Sequence, residues 1–340
     1  MKRVPISAPQ AIVRTRPDLK RVYLGIQGDL DQVEDKLRDL SRSPSPLISE
    51  VSGYLFQKTG KRIRPALILL CSKALDYHGQ DNILLSALVE LIHTSSLIHD
   101  DIIDNASTRR GKATVHAKWG PNITVLIGDY LYIKSINLSL QCRSPRVTSI
   151  LTDVSVQMIE GEIKEYGLSG QLNLKESDYL DIINQKTAAL FSASCRLGGI
   201  LGQAADGSEE ALADYGLNLG LCFQVVDDLL DYTGDEGLLG KPVLTDLAEG
   251  RITLPLIHAL SRDGARARGR IEGLLKEQKD NHRARKEIVD LVQSLGGLDY
   301  AFQKASLYCQ KSKDSLARLP QSVFTESLSL LADFVLDRDA

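Results

Sequence analysis

Two acidic motifs are the residues of this sequence best suited to chemistry. The segments Asp100-Asp101-Ile102-Ile103-Asp104 and Asp227-Asp228-Leu229-Leu230-Asp231 both have the pattern D-D-x-x-D. On a helix, positions i and i+4 share a face, so the first and last aspartates of each motif project together. Buried carboxylates without partners cost several kcal/mol, and a divalent cation removes that cost. Hard carboxylate oxygens suit Mg²⁺ and leave it free to bind phosphate, so we expect several Mg²⁺ ions to hold one polyphosphate between two facing motifs.

A single acidic motif is also typical of an acidic helix end or a loop cap. Here, however, the motif occurs twice. Each copy follows a strongly apolar segment and precedes a segment that contains glycine and basic residues. That repetition favours a binding site over a structural cap.

Basic residues accompany both motifs. An arginine fork binds phosphate through two hydrogen bonds, and lysine acts as a point charge. Any one basic pair is typical of a solvent-exposed surface. Together they indicate two anion pockets, one bridged by metal and one bound directly by cations. The segments concerned are 60–65, 109–112, Lys186-Thr187, Lys241 and Arg251.

Helices are predicted to hold these motifs. Aromatic residues make up only 5% of the chain, and no alternating run of β-branched residues stands out. Residues 83–99 place apolar side chains at steps of three and four, which predicts a buried central helix leading into the first motif. Residues 216–232 predict a second such helix, and residues 148–166 predict a third. We therefore expect an all-α protein.

Gly, Pro and Ser clusters mark the breaks between these segments. Residues 41–46 predict a helix break near the N-terminus. Residues 108–121 and 233–251 directly follow the two acidic motifs and predict long functional loops. Residues 262–286 are rich in charge and predict a solvated helical hairpin.

The composition excludes several classes of protein. Of 340 residues, 43% are hydrophobic and 25% are charged, which is ordinary for a globular protein and excludes intrinsic disorder. A net charge of −3 gives no support to a nucleic-acid partner. Five scattered cysteines predict neither a disulfide framework nor a zinc site. No apolar run near 20 residues and no signal-peptide segment are evident, so we expect a cytoplasmic protein.

Together the motifs resemble those of the trans-isoprenyl diphosphate synthases, the polyprenyl synthetase family, and within it the long-chain octaprenyl and heptaprenyl type. Order and spacing agree over most of the chain. One departure is Glu165, where the family often has Gln three residues after Gly-Glu. The matching landmarks are Gly60-Lys61-x-x-Arg64-Pro65, His93, both D-D-x-x-D motifs, Arg109-Arg110-Gly111, Gly128-Asp129, Gly161-Glu162, Lys186-Thr187, Phe223-Gln224, Gly240-Lys241-Pro242, Asp246-Leu247 and Thr253-Leu254-Pro255.

This resemblance implies an all-α helical bundle of the isoprenoid-synthase type around a deep central cavity, usually as a homodimer. It implies that an allylic diphosphate such as farnesyl diphosphate ionises, that isopentenyl diphosphate attacks its C1, and that a proton leaves. Repetition of this step in trans gives a long-chain polyprenyl diphosphate, and the released diphosphate is the expected base. We expect one domain over residues 31–340, after an N-terminal extension at residues 1–30.

The resemblance also implies roles for individual residues. The expected Mg²⁺ ligands are Asp100, Asp101, Asp104, Asp227, Asp228 and Asp231. The expected contacts to the allylic diphosphate are Arg109, Lys186, Thr187, Gln224 and Lys241. Isopentenyl diphosphate is expected to bind Lys61, Arg64, His93 and Arg110. Lys186, Thr187 and Gln224 are also the expected catalytic residues beside the developing carbocation.

Product length is expected to depend on the helix that precedes the first motif. Ser95 and Ser96 lie about one turn before Asp100, and bulky aromatic residues there give short products in this family. Small residues resemble the long-chain pattern, with Met158 or Val154 as the floor of the tunnel. We expect a product of roughly seven or eight isoprene units that serves as a quinone side-chain precursor.

Several alternatives stay open at this point. The chain fits a catalytic or regulatory subunit of a heteromeric synthase, or a shorter-chain geranylgeranyl synthase. A terpene cyclase of similar fold would have an N-S-E type second motif, and the second D-D-x-x-D argues against it. His99-Asp100 mimics the metal pair of a phosphohydrolase, but that interpretation leaves the second motif unexplained. We expect no nucleic-acid partner and a transient membrane contact for product release.

Overall fold

Helices make up most of the computed structural model, which describes residues 18–57, 60–109, 111–204, 207–234, 244–277 and 282–338. The all-α prediction is confirmed. Arg110, Lys241 and residues 1–17 of the predicted extension lie outside these ranges. The helices are α1 Leu19–Tyr23, α2 Gln27–Leu40, α3 Pro46–Leu55, α4 Ile63–Ala74, α5 Asp81–Ile103, α6 Val115–Ser139, α7 Pro145–Leu168, α8 Glu176–Ile183, α9 Ala189–Leu201, α10 Ser208–Thr233, α11 Thr245–Ala248, α12 Leu254–Glu277, α13 His282–Ser294, α14 Gly297–Ser315 and α15 Val323–Leu336.

Shorter elements connect some of these helices. Residues Asn184–Ala188 form a π-helical turn between α8 and α9. Short 3-10 turns follow α6 and α14, at Leu140–Cys142 and Leu316–Arg318. Strands β1 (Thr108–Arg109) and β2 (Lys112–Ala113) pair antiparallel in a small hairpin directly after the first acidic motif.

Helices α5 and α10 carry the two acidic motifs near their C-terminal ends. Both are buried along most of their length, and their apolar side chains belong to one hydrophobic core. Helix α9 packs against both of them, while the π-helical turn packs against α10 and α7. The π turn and α9 therefore set the gap across which the two motifs face each other.

Helix α10 approaches the end of the π-helical turn at backbone distance. A Cβ atom at Gly220 would lie 2.5 Å from the Cα of Ala188. That separation is too short for any side chain, so the glycine lets the two backbones pack directly. The register between the π turn and the second motif is fixed by this contact.

The prediction of a single loop over residues 108–121 was wrong in part. Residues 108–121 were expected to form a single loop, but β1, β2 and the start of α6 lie within them. Helix α6 begins at Val115 because the hydroxyl of Thr114 accepts a hydrogen bond from the backbone N–H of Ala117 at 3.0 Å and caps the helix. Gly120, with φ of 80°, then breaks the helical geometry before Pro121. The predicted break at residues 41–46 is confirmed between α2 and α3.

The N-terminal helices pack onto the core. Val22, Ile26 and Val33 are buried, and the hydroxyl of Tyr23 donates to the backbone carbonyl of Lys61 at 2.7 Å. The division of the chain at residue 30 stays a prediction.

One helix in the described part of the chain, α5, is long and apolar enough to span a membrane by length and composition. Glu90 and Asp100 interrupt its apolar residues, so it holds no uninterrupted apolar run of about 20 residues. Of its most apolar window, 67% is buried inside the fold, as in the central helix of a globular domain.

Candidate active site

A cavity of about 210 Å³ lies between the ends of α5 and α10. Side chains from separate segments of the chain line it, and most of them are polar or charged. The predicted site residues on its wall are Asp100, Asp104, Arg109, Lys186, Thr187, Gln224, Asp227 and Asp228. The structure therefore brings together the residues that the two motifs and their basic neighbours led us to expect in one site.

The first motif divides between the cavity and the core. Asp100 and Asp104, four residues apart, line the cavity, whereas Asp101 is 3% exposed and accepts a hydrogen bond from Arg109 Nε at 2.6 Å. Burial, reinforced by the nearby charge of Glu162, raises the pKa of Asp100 to about 7. A cation placed against Asp100 would relieve both effects.

The second motif makes a different contact at each carboxylate. Asp227 is 59% exposed and pairs with Arg338 Nη2 at 2.8 Å. Asp228 is buried, and the hydroxyl of Tyr179 donates to it at 2.6 Å. Asp231 is buried and accepts the backbone N–H groups of Thr245 and Asp246, so it organises the start of α11.

Asp101 and Asp231 are not among the described residues that line the cavity. Their roles as direct metal ligands stay predictions. Both carboxylates hold structure around the site, since one fixes Arg109 and the other fixes the chain that follows the second motif.

The π-helical turn carries Lys186 and Thr187 to the cavity. Such turns insert an extra residue and occur frequently at functional sites. Gly161 on α7 permits it to pack, because a Cβ atom there would lie 2.8 Å from the backbone nitrogen of Lys186. The next residue, Glu162, then reaches Lys186 Nζ at 2.6 Å, and Glu165 reaches it at 2.5 Å.

Lys186 is a cation held by two carboxylates. Burial alone would lower its pKa, but Glu165 and Glu162 outweigh burial and leave its pKa above the ordinary value. Lys186 therefore stays charged at neutral pH. An incoming anion has to compete with these two glutamates for it.

A chain of hydrogen bonds links the π turn to the second motif. The Thr187 hydroxyl donates to Gln224 Oε1 at 2.8 Å, and Gln224 Nε2 donates to Asp228 Oδ1 at 2.8 Å. Burial and the charge of Asp246 raise the pKa of Asp228 well above its ordinary range, although the Tyr179 and Gln224 donors oppose the rise. The amide of Gln224 is thus fixed in orientation from both ends.

The described residues expected to bind the second substrate are not among those that line the cavity. Arg64 Nη1 lies 3.0 Å from His93 Nε2, and its guanidinium carbon lies 4.7 Å from the centre of the Phe191 ring. Lys61 Nζ lies 5.8 Å from the ring of Phe334 on α15. The fourth expected member, Arg110, and the expected diphosphate contact Lys241 lie outside the described residues.

The two serines expected to set product length face different neighbours. Ser95 is 2% exposed and donates to the backbone carbonyl of Gly128 on α6 at 2.9 Å. Ser96 donates to the carbonyl of His93 on its own helix at 2.9 Å. Neither is among the described residues that line the 210 Å³ cavity, so their role as a wall stays a prediction.

The sequence pattern left several site residues without an assignment. Arg251 bridges the two halves of the site, with Nη1 at 3.1 Å from Asp104 and Nη2 at 3.0 Å from Asp246, and it also pairs with Glu249. Tyr179 and the glutamates on Lys186 were also not assigned. The basic residue after the second motif was the only sequence signal for Arg251, and its partner Asp104 lies 147 residues away along the chain.

The donor set suits a divalent cation of the Mg²⁺ type. Carboxylates from α5 and α10 face one cavity, and hard oxygen ligands of this kind bind Mg²⁺ together with substrate phosphates. Within the described ranges, no three acidic, histidine or cysteine side chains already converge closely enough to hold an ion alone. The arrangement therefore fits ions shared between protein carboxylates and a bound phosphate ligand.

Comparisons with known proteins agree with this geometry. The family model described as Polyprenyl synthetase matches residues 45–292. The octaprenyl diphosphate synthase of Haemophilus influenzae is 36% identical over 311 residues, covering 92% of this chain and 94% of that protein.

Two solved structures are similar over nearly their whole length. A polyprenyl synthase from Caulobacter crescentus, complexed with calcium and isoprenyl diphosphate, has a TM-score of 0.90 at 34% identity and covers 96% of this chain and 100% of its own. A decaprenyl diphosphate synthase from Rhodobacter capsulatus has a TM-score of 0.89 at 34% identity, covering 95% and 100%. The motifs, the fold and these matches together show that this chain belongs to the polyprenyl synthetase family.

Proposed function

We propose that this chain is a prenyltransferase that adds isopentenyl diphosphate repeatedly, in trans, to an allylic diphosphate such as farnesyl diphosphate. The observation that carries the proposal is the meeting of carboxylates from α5 and α10 with Arg109 and Lys186 around one cavity. A site with both signs of charge suits a metal-bound diphosphate. The long-chain activities named for similar proteins support a long-chain polyprenyl diphosphate as the product.

The proposed cofactor is Mg²⁺, with more than one ion in the site. Asp100, Asp104, Asp227 and Asp228 would hold it, since these motif carboxylates line the cavity, and a bound cation would relieve the burial and the Glu162 charge that raise the pKa of Asp100. When bound, the metal neutralises the charge that develops on the diphosphate as the C1–O bond breaks.

The protein's own cations and oxygens perform the remaining work. Arg109 and Lys186 bind the diphosphate and stabilise it as a leaving group. The fixed oxygens of Thr187 and Gln224 would lie beside the allylic cation, where their dipoles are already oriented. Ile182 and other apolar residues on the cavity wall exclude water, which would otherwise trap the cation as an alcohol.

Isopentenyl diphosphate is proposed to bind Lys61, Arg64, His93 and Arg110. The Arg64–His93 contact holds two of these side chains together before substrate arrives, which lowers the entropy cost of binding. The proton that leaves after condensation is proposed to pass to the released diphosphate. Mutual alignment of the two substrates then supplies much of the rate.

A homodimer is proposed from the surface of α6 and α7. These helices pack on each other and leave a row of apolar side chains exposed to solvent. Contiguous exposed apolar patches mark protein–protein interaction sites. The side chains are Leu126, Ile133, Val156, Ile159, Ile163 and Tyr166.

Cellular location and product are part of the same proposal. We propose a cytoplasmic enzyme that touches the membrane transiently, because a long hydrocarbon product leaves water readily. The product is proposed to have roughly seven or eight isoprene units and to serve as a quinone side chain. The small side chains of Ser95 and Ser96 support that length.

The deciding experiment uses the purified chain alone with Mg²⁺, farnesyl diphosphate and labelled isopentenyl diphosphate. The dephosphorylated products are then separated by length. A ladder ending at one long product supports the proposal, and the same lane gives the chain length. Products no longer than geranylgeranyl would indicate the shorter-chain alternative. No incorporation by folded protein would indicate a subunit that needs a partner.

A further inference from the structure

Arg338, just beyond the end of α15, reaches the helix that carries the second acidic motif. Its side chain is only 7% exposed. Its guanidinium carbon lies 3.9 Å from the centre of the Phe223 ring. Its Nη2 donates to the backbone carbonyl of Phe223 at 2.9 Å and to Asp227 Oδ1 at 2.8 Å. Three contacts therefore fix one guanidinium against one turn of α10.

The carboxylate of Asp227, in contrast to the buried Arg338 guanidinium, is largely exposed. The Asp227 side chain is 59% exposed, lines the cavity and is the first carboxylate of the second motif. An exposed aspartate rotates freely about its side-chain bonds, and ordering it costs entropy when it binds a ligand. Arg338 removes that freedom in advance, because it is itself anchored to the backbone one turn earlier, at Phe223.

A structural role alone accounts poorly for a guanidinium in this place. Burying a charged group is costly unless it is fully hydrogen-bonded, and an apolar side chain often packs as well at lower cost. Among the described residues, the buried Nε of Arg338 has no hydrogen-bond acceptor. Burial also lowers the pKa of Arg338, while Asp227 opposes that change. Of the three contacts that hold the buried guanidinium, the one with Asp227 involves a residue that lines the cavity.

We propose that Arg338 is a positioning residue that orients Asp227 toward the cavity for a divalent cation. This inference rests on the proposed metal role of Asp227. Partners that hydrogen-bond a metal-ligating carboxylate typically affect metal affinity by about 10- to 100-fold. The contact joins residues 111 positions apart in the sequence, so the C-terminal segment becomes part of the metal site.

The test measures Mn²⁺ binding by electron paramagnetic resonance, in the presence of inorganic diphosphate and without prenyl substrate. We expect Arg338→Gln to weaken Mn²⁺ binding by about tenfold or more, and Arg338→Lys to recover part of the loss. The matched control is Lys313→Gln, which removes a 2.8 Å ion pair with Asp333 between α14 and α15. The control should bind Mn²⁺ as the wild type does, and thermal melts in metal-free buffer establish that each variant is folded.

A double variant isolates the route of the effect. If Arg338 acts through Asp227, then Arg338→Gln adds no further loss of Mn²⁺ affinity to Asp227→Asn. Unchanged affinity in folded Arg338→Gln would overturn the inference in favour of a structural role. Tighter binding would overturn it too, because the arginine would then compete with the metal. If the wild type itself binds no Mn²⁺, the proposed metal role of Asp227 fails, and the inference fails with it.

Discussion

Glu165 Oε2 lies 2.5 Å from Lys186 Nζ, so the lysine proposed to bind diphosphate is already paired with a carboxylate. Glu162 contributes a second contact at 2.6 Å. Glu165 is also the position at which this sequence departs from the family pattern, which often has glutamine there. The departure therefore changes the charge around a proposed substrate contact.

We expect Glu165→Gln to tighten binding of the allylic diphosphate. The substitution removes one of two carboxylates that compete for Lys186, while Glu162 still holds the lysine in place. The KM for the allylic substrate should fall about three- to tenfold, equivalent to ~0.7–1.4 kcal/mol. Steady-state kinetics at saturating isopentenyl diphosphate measure it. Glu160→Gln, an exposed position on the same helix, is the matched control. An unchanged KM would show that Glu165 does not restrain Lys186.

The raised pKa of Asp100 predicts a pH-dependent stability of the metal-free protein. A carboxyl group whose pKa is about 7 in the folded state, against an ordinary 3.8, is ionised in the unfolded chain and takes up a proton on folding in the pH range between these values. Its stabilising contribution is present below about pH 4 and is lost as the pH rises through 7. Asp100→Asn should therefore match the wild type near pH 4 and exceed its free energy of unfolding by about 1–3 kcal/mol at pH 8.

Denaturant unfolding in EDTA at a series of pH values measures this difference. Asp214→Asn, at an exposed position on α10, controls for the loss of one negative charge. If the two variants have the same pH dependence, burial at position 100 is not the cause. Adding Mg²⁺ with diphosphate at pH 8 should stabilise the wild type more than Asp100→Asn.

Gly161→Ala should impair both catalysis and stability. The new Cβ would lie 2.8 Å from the backbone nitrogen of Lys186 and 2.9 Å from Gln185 Cβ, so the π turn has to move. We expect a cost of about 1–3 kcal/mol in unfolding free energy and a fall in kcat of about tenfold or more, because Lys186 and Thr187 shift together. The matched control is Gly167→Ala on the same helix, where a Cβ meets nothing within 4 Å. Equal kcat in both variants would argue against a role for the packing of the π turn.

Ser96→Phe should shorten the product. The helix that carries Ser96 leads directly into the first motif, and a phenyl ring there would close the space into which the growing chain is proposed to extend. Product length after dephosphorylation is the measurement, and Ser96→Ala should leave the length unchanged. A long product from the phenylalanine variant would show that the chain extends along another path.

The central helices and most of the residues of the site could be predicted from the sequence, because both depend on local spacing. Apolar steps of three and four located α5 and α10, and the D-D-x-x-D pattern located the carboxylates at their ends. The contacts of Arg251 with Asp104 and of Arg338 with Asp227 were not predictable, because they join residues far apart in the sequence through tertiary packing. The π-helical turn was also missed, since it depends on how α7 and α10 pack against it rather than on local periodicity.

Arg338 stacks on the ring of Phe223, and a second arginine, Arg64, stacks on the neighbouring ring of Phe191. Phe191 packs against Phe223 with their centres 5.2 Å apart, and Phe191 carries the guanidinium of Arg64. Each ring of the pair thus already has its electron-rich π system engaged with a permanent cation. A carbocation brought against either ring would meet the repulsion of that resident charge. This arrangement supports the proposal that fixed oxygen dipoles, rather than these phenyl rings, stabilise the allylic cation.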